Sequence, residues 1–198
     1  MKPTLERIQK VLTKKGYQWF DDGRPYHLNI IGIRSKERKA NRFDDLFVIA
    51  CKDDAGKQIF SIYKGTTDPG ANYLLKPLDP AGTFILKPGQ HLDLWALGSH
   101  KGKYVALDQV APVSGWRDNN KNTTLLDGPL KEVTGLFGIE FHRAHSTLEL
   151  ELVGPYSAGC QVVQNPVSYG KVIALCQASV KLRRNRFSYT LLEEADLA

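Results

Sequence analysis

The residues with the clearest chemical potential in this sequence are His142 and Cys160. His142 ends the run Gly138-Ile139-Glu140-Phe141-His142, and fourteen residues separate it from Ser157-Ala158-Gly159-Cys160. A cysteine attacks as its thiolate, and a free thiol with a pKa of about 8.5 is mostly protonated at neutral pH. An imidazole can accept that proton and later return it to a leaving amine. The pair is therefore a candidate for acyl transfer, with Cys160 as nucleophile and His142 as base.

The small residues before Cys160 suit a tight turn. Gly159 tolerates backbone angles that other residues avoid, and small residues let backbone N–H groups approach a developing oxyanion closely. The alternative is a structural role for both residues, because a chain with three cysteines and five histidines contains chance pairs. The spacing alone leaves both interpretations open.

The other two cysteines follow apolar runs. Cys51 ends the run 46–50 and Cys176 follows the run 172–175, so both are expected to be small buried hydrophobic residues. An odd number of cysteines without a close pair predicts neither a disulfide framework nor a cysteine-rich zinc site. We expect iodoacetamide to alkylate Cys160 fastest, because only Cys160 is expected to hold an accessible thiolate.

The elements that must position this pair are mostly short strands, and the predicted fold class is mainly β. The 17 glycines and 10 prolines indicate many turns. Helical spacing of apolar residues predicts a short amphipathic helix over 5–12, and a second helix is predicted over 168–181. Strands are predicted at His27–Ile33, Leu46–Cys51, Gln58–Tyr63, Thr83–Lys87, Leu92–Leu97, Tyr104–Val110, Phe137–Phe141, Thr147–Val153 and Arg186–Leu192.

These elements fit one compact unit, because the sequence contains no internal repeat, low-complexity tract or clear linker. Residues 1–44 are expected to form the N-terminal helix and a lead-in strand packed on a main domain. Residues 45–198 are expected to form that main domain, which contains the candidate pair.

The net charge of +6 and the isoelectric point near 9.2 favour anionic partners. Nucleic acid, acidic lipid and anionic bacterial wall polymers all qualify. The basic residues are scattered, and the sequence contains no paired Cys/His finger, no RNP-like aromatic run and no basic region leading into heptads. A nucleic-acid partner is therefore not expected, and the alternative to any anionic partner is that the scattered lysines and arginines simply keep the surface solvated.

The motif around the pair resembles the L,D-transpeptidase catalytic-domain family. That family has a histidine, about fourteen intervening residues and then Ser/Thr-His-Gly-Cys, which Ser157-Ala158-Gly159-Cys160 matches at three positions. Asp79-Pro80-Ala81-Gly82-Thr83-Phe84 resembles the family's upstream Thr-Pro-x-Gly-x-Phe turn, with Asp79 in place of the threonine. The resemblance covers roughly residues 45–180 and implies a β-sandwich or open barrel with one helix after the cysteine.

The resemblance also implies an activity, namely acyl transfer on peptidoglycan stem peptides through a thioester. Cys160 attacks the carbonyl of the third residue of a stem tetrapeptide, and His142 acts as base and then acid. The N–H groups of Gly159 and Cys160 stabilise the oxyanion, and Ser157 shapes the turn. The backbone carbonyl of Arg143 orients the histidine. No cofactor and no metal are implied.

Substrate-binding roles are assigned to residues beside the motif. The side chains of Arg143 and His145 are candidates to bind a substrate carboxylate, with solvent exposure as the alternative. Tyr156, next to the motif, is a candidate to line a groove for peptide or glycan.

The sequence departs from the family pattern in three places. The histidine usually found before Gly-Cys is replaced by Ala158, the arginine usually found two positions after the cysteine is replaced by Val162, and Arg143 replaces a small residue after His142. Transpeptidation and hydrolysis therefore both stay open. A second hypothesis is an inactive cell-wall-binding or phage-associated structural module of the same fold, and a third is a nucleic-acid-associated protein.

The N-terminal sequence contains no apolar signal-peptide core, and no stretch approaches membrane-spanning length. We therefore expect no signal peptide and no transmembrane segment. On the enzyme hypothesis the protein acts at the cell wall or periplasm, with phage or effector delivery as one route. On the other hypotheses it is cytoplasmic. No pattern indicates an oligomeric state.

Overall fold

The computed structural model describes residues 3–198, and the mainly β class is confirmed. The α-helices in this range are α1 (Leu5–Lys14), α2 (Ala71–Leu75) and α3 (Pro166–Leu182). The strands are β1 (Asn29–Arg34), β2 (Asp45–Lys52), β3 (Gln58–Thr66), β4 (Thr83–Leu86), β5 (Gly89–His100), β6 (Tyr104–Gln109), β7 (Val113–Asp118), β8 (Lys131–Gly135), β9 (Phe141–Arg143), β10 (Gln161–Val163) and β11 (Phe187–Glu193).

Eight of these strands close into a barrel in the order β1-β11-β5-β6-β9-β10-β3-β2, and β2 pairs with β1 to complete it. The strands β4, β7 and β8 form a separate antiparallel sheet. The expectation of a sandwich or open barrel is therefore corrected to a closed barrel with a small accompanying sheet. Closure leaves no exposed edge on the main sheet.

The parallel pairing of β9 with β10 brings the two halves of the motif together. His142 lies opposite Val162 in this register, and the N–H of Gln161 donates to the carbonyl of Glu140 at 2.9 Å. Neighbouring strands in a sheet lie about 4.8 Å apart. Cys160, directly before β10, is therefore held beside the strand that carries His142.

The barrel interior is filled by large aromatic side chains that also anchor the segment before β9. Trp95, Phe141 and Tyr189 are fully buried, and Trp95 contacts both of the others at centroid distances of 5.6 and 4.7 Å. The indole N–H of Trp95 donates to the carbonyl of Ile139 at 2.7 Å. Core packing therefore fixes the chain just before His142.

The N-terminal helix covers the outside of the barrel. The side chain of Thr4 caps α1 by accepting from the N–H of Arg7, and Ile8 and Leu12 are buried against the outer face of the barrel. β1 pairs with both β2 and β11 inside the barrel sheet. The predicted segment 1–44 thus contributes both a covering helix and a barrel strand, while its residues Met1 and Lys2 lie outside the described residues.

Two predicted strands differ from the structure. The segment 147–153 forms no strand, and Leu148 and Leu152 are 57% and 59% exposed. Its alternating leucines and glutamates have no partner strand, and the segment is held instead by an isolated bridge between Arg42 and Leu152. The predicted strand 137–141 is also wrong in extent, because pairing begins only at Phe141.

No helix among residues 3–198 combines the length and apolar character that crossing a membrane requires.

Candidate active site

His142 and Cys160 line one cavity of about 440 Å³ at the β9–β10 edge. The turn after β5, the segment before β9 and the short 3-10 turn at Gly154–Tyr156 also contribute to its walls. The spacing predicted that folding would bring the two residues together, and both face this one cavity. A larger cleft of about 650 Å³ lies between residues 18–28 and the end of α3. No cysteine lines it, and its Arg183 and Arg184 are paired with Asp22 and Asp93.

The turn before Cys160 requires glycine at position 159. Gly159 has a φ of +126°, and a Cβ atom at this position would lie 2.6 Å from the carbonyl oxygen of Phe84. Phe84 ends the Asp79–Phe84 segment, so the two motifs of the sequence meet in space. The close approach of two backbones excludes any larger residue at the turn.

The side chain of Ser157 holds this turn together through two hydrogen bonds. The side chain is buried, and its hydroxyl donates to the carbonyl of Cys160 at 2.9 Å and accepts from the N–H of Gly159 at 3.2 Å. The N–H of Gly159 is thus occupied within the turn. No hydrogen bond among the described residues uses the N–H of Cys160, which leaves it as the available oxyanion donor of the two expected.

A backbone carbonyl orients His142. Its Nδ1 lies 2.8 Å from the carbonyl oxygen of Arg143, so Nδ1 carries the proton that is donated and Nε2 keeps the lone pair. The hydroxyl of Tyr104 donates to the same carbonyl at 3.3 Å. Burial lowers the pKa of His142 from its ordinary 6.5 to about 4. The ring is therefore neutral at pH 7, in the form that accepts a proton.

The Cys160 side chain is half-buried, and its thiol donates to the carbonyl of Gly138 at 3.5 Å. Burial raises its pKa to about 12. Burial therefore favours a protonated thiol at rest over the thiolate that the sequence predicts, in a cavity where the imidazole is also neutral. Catalytic hydrogen bonds often tighten only when the substrate is bound, so the Gly138 contact is compatible with a reactive geometry.

The accessibility and pKa of Cys160 predict a characteristic alkylation profile. Under native conditions iodoacetamide is expected to modify Cys160 before Cys51 and Cys176, which are 4% and 0% exposed. The rate is expected to rise about tenfold per pH unit between roughly pH 7 and 9.5, because the thiolate fraction grows in that proportion below the pKa. Peptide mass spectrometry at several time points measures both quantities. A rate plateau near neutral pH, or equal labelling of all three cysteines, would contradict the neutral pair.

Of the three predicted substrate-binding residues, one lines the cavity and two do not. Tyr156 lines the cavity. The guanidinium of Arg143 lies over the ring of Tyr104, 4.2 Å from its centroid, and is not part of the lining. His145 is also outside the lining, because its Nδ1 accepts from the N–H groups of Thr147 and Leu148 and closes a turn. The cations that line the cavity are instead Lys101 and Lys103.

A second histidine was missed by sequence reasoning. The ring of His100, at the end of β5, stacks on the ring of His142 with centroids 4.4 Å apart and planes at 23°. Its Nδ1 forms a short contact with the carboxylate of Glu140. The sequence could have indicated Glu140, because it lies two residues before His142 and residues two apart on an extended segment face the same side. No sequence pattern indicated His100, because only the β5–β6 hairpin brings it to the site.

A buried polar network supports the cysteine turn from the barrel interior. The side-chain amide of Gln161 donates to the carbonyls of Thr67 and Gly159, and its oxygen accepts from the hydroxyl of Tyr189 at 2.7 Å. Arg34, fully buried, donates to the hydroxyl of Thr67 at 3.1 Å. The backbone at Gly159 is thereby tied to the centre of the barrel.

No protein-family model matches this chain. Comparisons with curated proteins and with solved structures also find no match. The functional assignment therefore depends on the spacing of the motif and on the geometry of the cavity.

Proposed function

We propose that this protein is a cysteine-nucleophile acyl-transfer enzyme of the L,D-transpeptidase type, acting on peptidoglycan stem peptides through a thioester. The observation that carries the proposal is the anchoring of His142. Its Nδ1 is hydrogen-bonded to the Arg143 carbonyl, which leaves Nε2 available as a base. His142 lies on β9, which pairs with β10, the strand that directly follows Cys160. On this proposal the protein acts at the cell wall or periplasm.

The first half-reaction uses His142 as base and then as acid. As Sγ of Cys160 attacks the carbonyl carbon of the third stem residue, Nε2 of His142 takes the thiol proton. Because the resting thiol is a weak acid and the buried imidazole a weak base, this transfer accompanies formation of the S–C bond. The Cys160 N–H donates to the oxyanion. When the C–N bond breaks, His142 returns the proton to the departing amine of the terminal D-alanine.

The second half-reaction frees the enzyme. Water or an acceptor amine attacks the thioester carbon, the C–S bond breaks and the thiol of Cys160 is restored. Attack by water gives hydrolysis, and attack by an amine gives a cross-link.

The cavity lining suits a peptide that carries carboxylates. Lys101 and Lys103 provide cations on one wall, and Tyr104 and Tyr156 provide aromatic surface for the peptide backbone. An ammonium group binds a carboxylate as a point charge rather than through the two-pronged contact of arginine. These lysines are therefore proposed to recognise substrate carboxylates in place of the family's absent arginine.

Loss of the Cys160 sulfur is expected to abolish the reaction. The wild-type protein is incubated with a stem tetrapeptide or with purified sacculi, and products and intact protein are followed by mass spectrometry. We expect release of the terminal residue and a thioester adduct on the wild type, and neither in Cys160→Ala. The matched control is Cys51→Ala, which removes a cysteine outside the cavity and should leave turnover unchanged. Unchanged product formation in Cys160→Ala would overturn the proposal.

A second candidate is a wall-binding module that keeps the fold without turnover. The observation that favours it is the contact of the Cys160 thiol with the Gly138 carbonyl rather than with the histidine. On this alternative, the wild type and Cys160→Ala bind sacculi equally, and neither releases product. The same incubation therefore separates the two candidates.

A further inference from the structure

The pair formed by His100 and Glu140 is a second proton-transfer unit in the same cavity. We propose that His100, oriented by Glu140, is the general base that activates the water or amine resolving the thioester. This inference rests on the proposed function. It assigns the two half-reactions to two different histidines.

The contact with Glu140 fixes the protonation of the His100 ring. An ionised carboxylate only accepts hydrogen bonds, so the Nδ1 of His100 donates to it and Nε2 carries the lone pair. A carboxylate on one ring nitrogen fixes the orientation and the tautomer of an imidazole. No hydrogen bond among the described residues uses Nε2 of His100, while the ring lines the cavity. Nε2 is therefore available to a molecule in the cavity.

The two histidines differ in their exposure and in the group that orients each ring, which suits them to different proton transfers. His142 is 2% exposed and is anchored by a neutral carbonyl, whereas the His100 side chain is 17% exposed and is paired with a carboxylate. His100 is thus the ring that incoming solvent can reach, and it has the stronger orienting partner.

Stacking prevents the two rings from acting as a relay. Their planes lie at 23° with centroids 4.4 Å apart, so the ring faces are in contact and the nitrogens cannot hydrogen-bond to each other. A proton gained by one ring cannot pass directly to the other. Two protonated rings in this arrangement would also repel, and Glu140 can balance a positive charge only on His100. Each ring must therefore exchange its proton with substrate or solvent.

The resolving step balances as follows. Nε2 of His100 removes a proton from water, or from the acceptor amine as it attacks, while the new C–O or C–N bond forms at the thioester carbon. The tetrahedral intermediate then breaks its C–S bond, and Cys160 departs as a thiolate. The proton held by His100 returns to this thiolate through cavity water. No oxidant, reductant or metal takes part.

The test separates formation of the thioester from its loss. Wild type, His100→Phe and Glu140→Gln are mixed with a stem tetrapeptide, and the mass of the intact protein is followed over time. In His100→Phe, which keeps a stacking ring, we expect adduct formation within about threefold of wild type and adduct loss slowed about 10²-fold or more. The adduct therefore becomes the major species. Glu140→Gln is expected to slow adduct loss by a smaller factor, because Nε2 remains but the ring loses the carboxylate that orients it.

Hydroxylamine provides a readout that a structural role would not give. This strong nucleophile attacks thioesters without help from a base, so it is expected to restore turnover in His100→Phe but not in Cys160→Ala. Equal slowing of adduct formation and loss in His100→Phe, or no rescue by hydroxylamine, would overturn the role of His100 alone. Absence of both product and adduct, on the wild type and on His100→Phe, would overturn the acyl-transfer proposal and this inference together. A thermal unfolding midpoint close to that of wild type verifies that the variant is folded.

Discussion

Replacement of His142 by glutamine is expected to slow formation of the Cys160 thioester by about 10²–10⁴-fold, the usual contribution of a positioned general base. Glutamine is close in size and can still donate to the Arg143 carbonyl, but it cannot accept a proton at neutral pH. The intact-mass time course measures the rate directly. His145→Gln is the matched control, since His145 closes a surface turn outside the cavity and its replacement should leave the rate within about twofold. Equal rates for wild type and His142→Gln would remove His142 from the mechanism.

The same variant has a pH signature in stability. The folded state holds the pKa of His142 near 4, below its ordinary value of 6.5, so the unfolded chain binds the proton more readily. Stability from this group is present above pH 6.5 and is lost as pH falls toward 4. At 1.36 kcal/mol per pH unit, the loss approaches about 3 kcal/mol. Urea unfolding of wild type at pH 7 and at pH 4.5 should show this decrease, and His142→Gln should show a smaller one.

Sequence reasoning succeeded where local pattern determines structure. The helix predicted over 5–12 is α1, and the structure adds a cap by the side chain of Thr4. The helix predicted over 168–181 is α3, extended at its start by Pro166 with Asn165 as cap. In α1 the apolar spacing and the observed cap favour the same helix, so local sequence and tertiary structure agree.

The failures arise where pairing partners determine structure. β7 and β8 are polar strands with weak alternation, and each exists because its neighbours in the small sheet supply hydrogen bonds. The segment 147–153 has strong alternation but no neighbour to pair with, so it stays irregular. Barrel closure depends in the same way on β1 meeting both β2 and β11, which lie far apart in sequence. Local pattern does not encode these long-range contacts.

In the candidate site, too, local sequence predicted some residues and long-range contacts determined the others. The positions of Cys160, His142 and Gly159 follow from a contiguous motif with fixed spacing, and the parallel pairing of β9 with β10 places them at one cavity. The contribution of Arg143 is its backbone carbonyl, which side-chain identity does not reveal. His100 comes from a hairpin about forty residues upstream, and only the fold makes it a neighbour.

The buried ion pair beneath the site is expected to dominate stability. Oδ1 of Asp68 lies 3.0 Å from Nε of Arg34, whose hydrogen is donated to Thr67, so the Asp68 contact is ionic rather than a hydrogen bond. The carboxylate of Asp45 binds the same threonine. It accepts hydrogen bonds from the Thr67 N–H at 2.6 Å and from the Thr67 hydroxyl at 2.8 Å. Burial raises the pKa of both carboxyls, and the charge of Arg34 opposes that rise. Arg34 is the nearest cation to both acids, and the charge of Arg38 also lowers the pKa of Asp68.

Replacing Arg34 by methionine is consequently expected to lower the free energy of unfolding by about 3–5 kcal/mol at pH 7, because it removes the ion-pair partner of a buried carboxylate. The control is Arg184→Met, whose ion pair with Asp93 is solvent-exposed and whose loss should cost less than about 1 kcal/mol. Urea unfolding measures both. The deficit of Arg34→Met should shrink as pH falls toward 5, since protonation removes the uncompensated charges, and a deficit independent of pH would show that Arg34 contributes packing and hydrogen bonds rather than charge. Because Thr67 also receives the Gln161 side chain that holds Gly159, the same variant should loosen the cysteine turn and increase alkylation of Cys160.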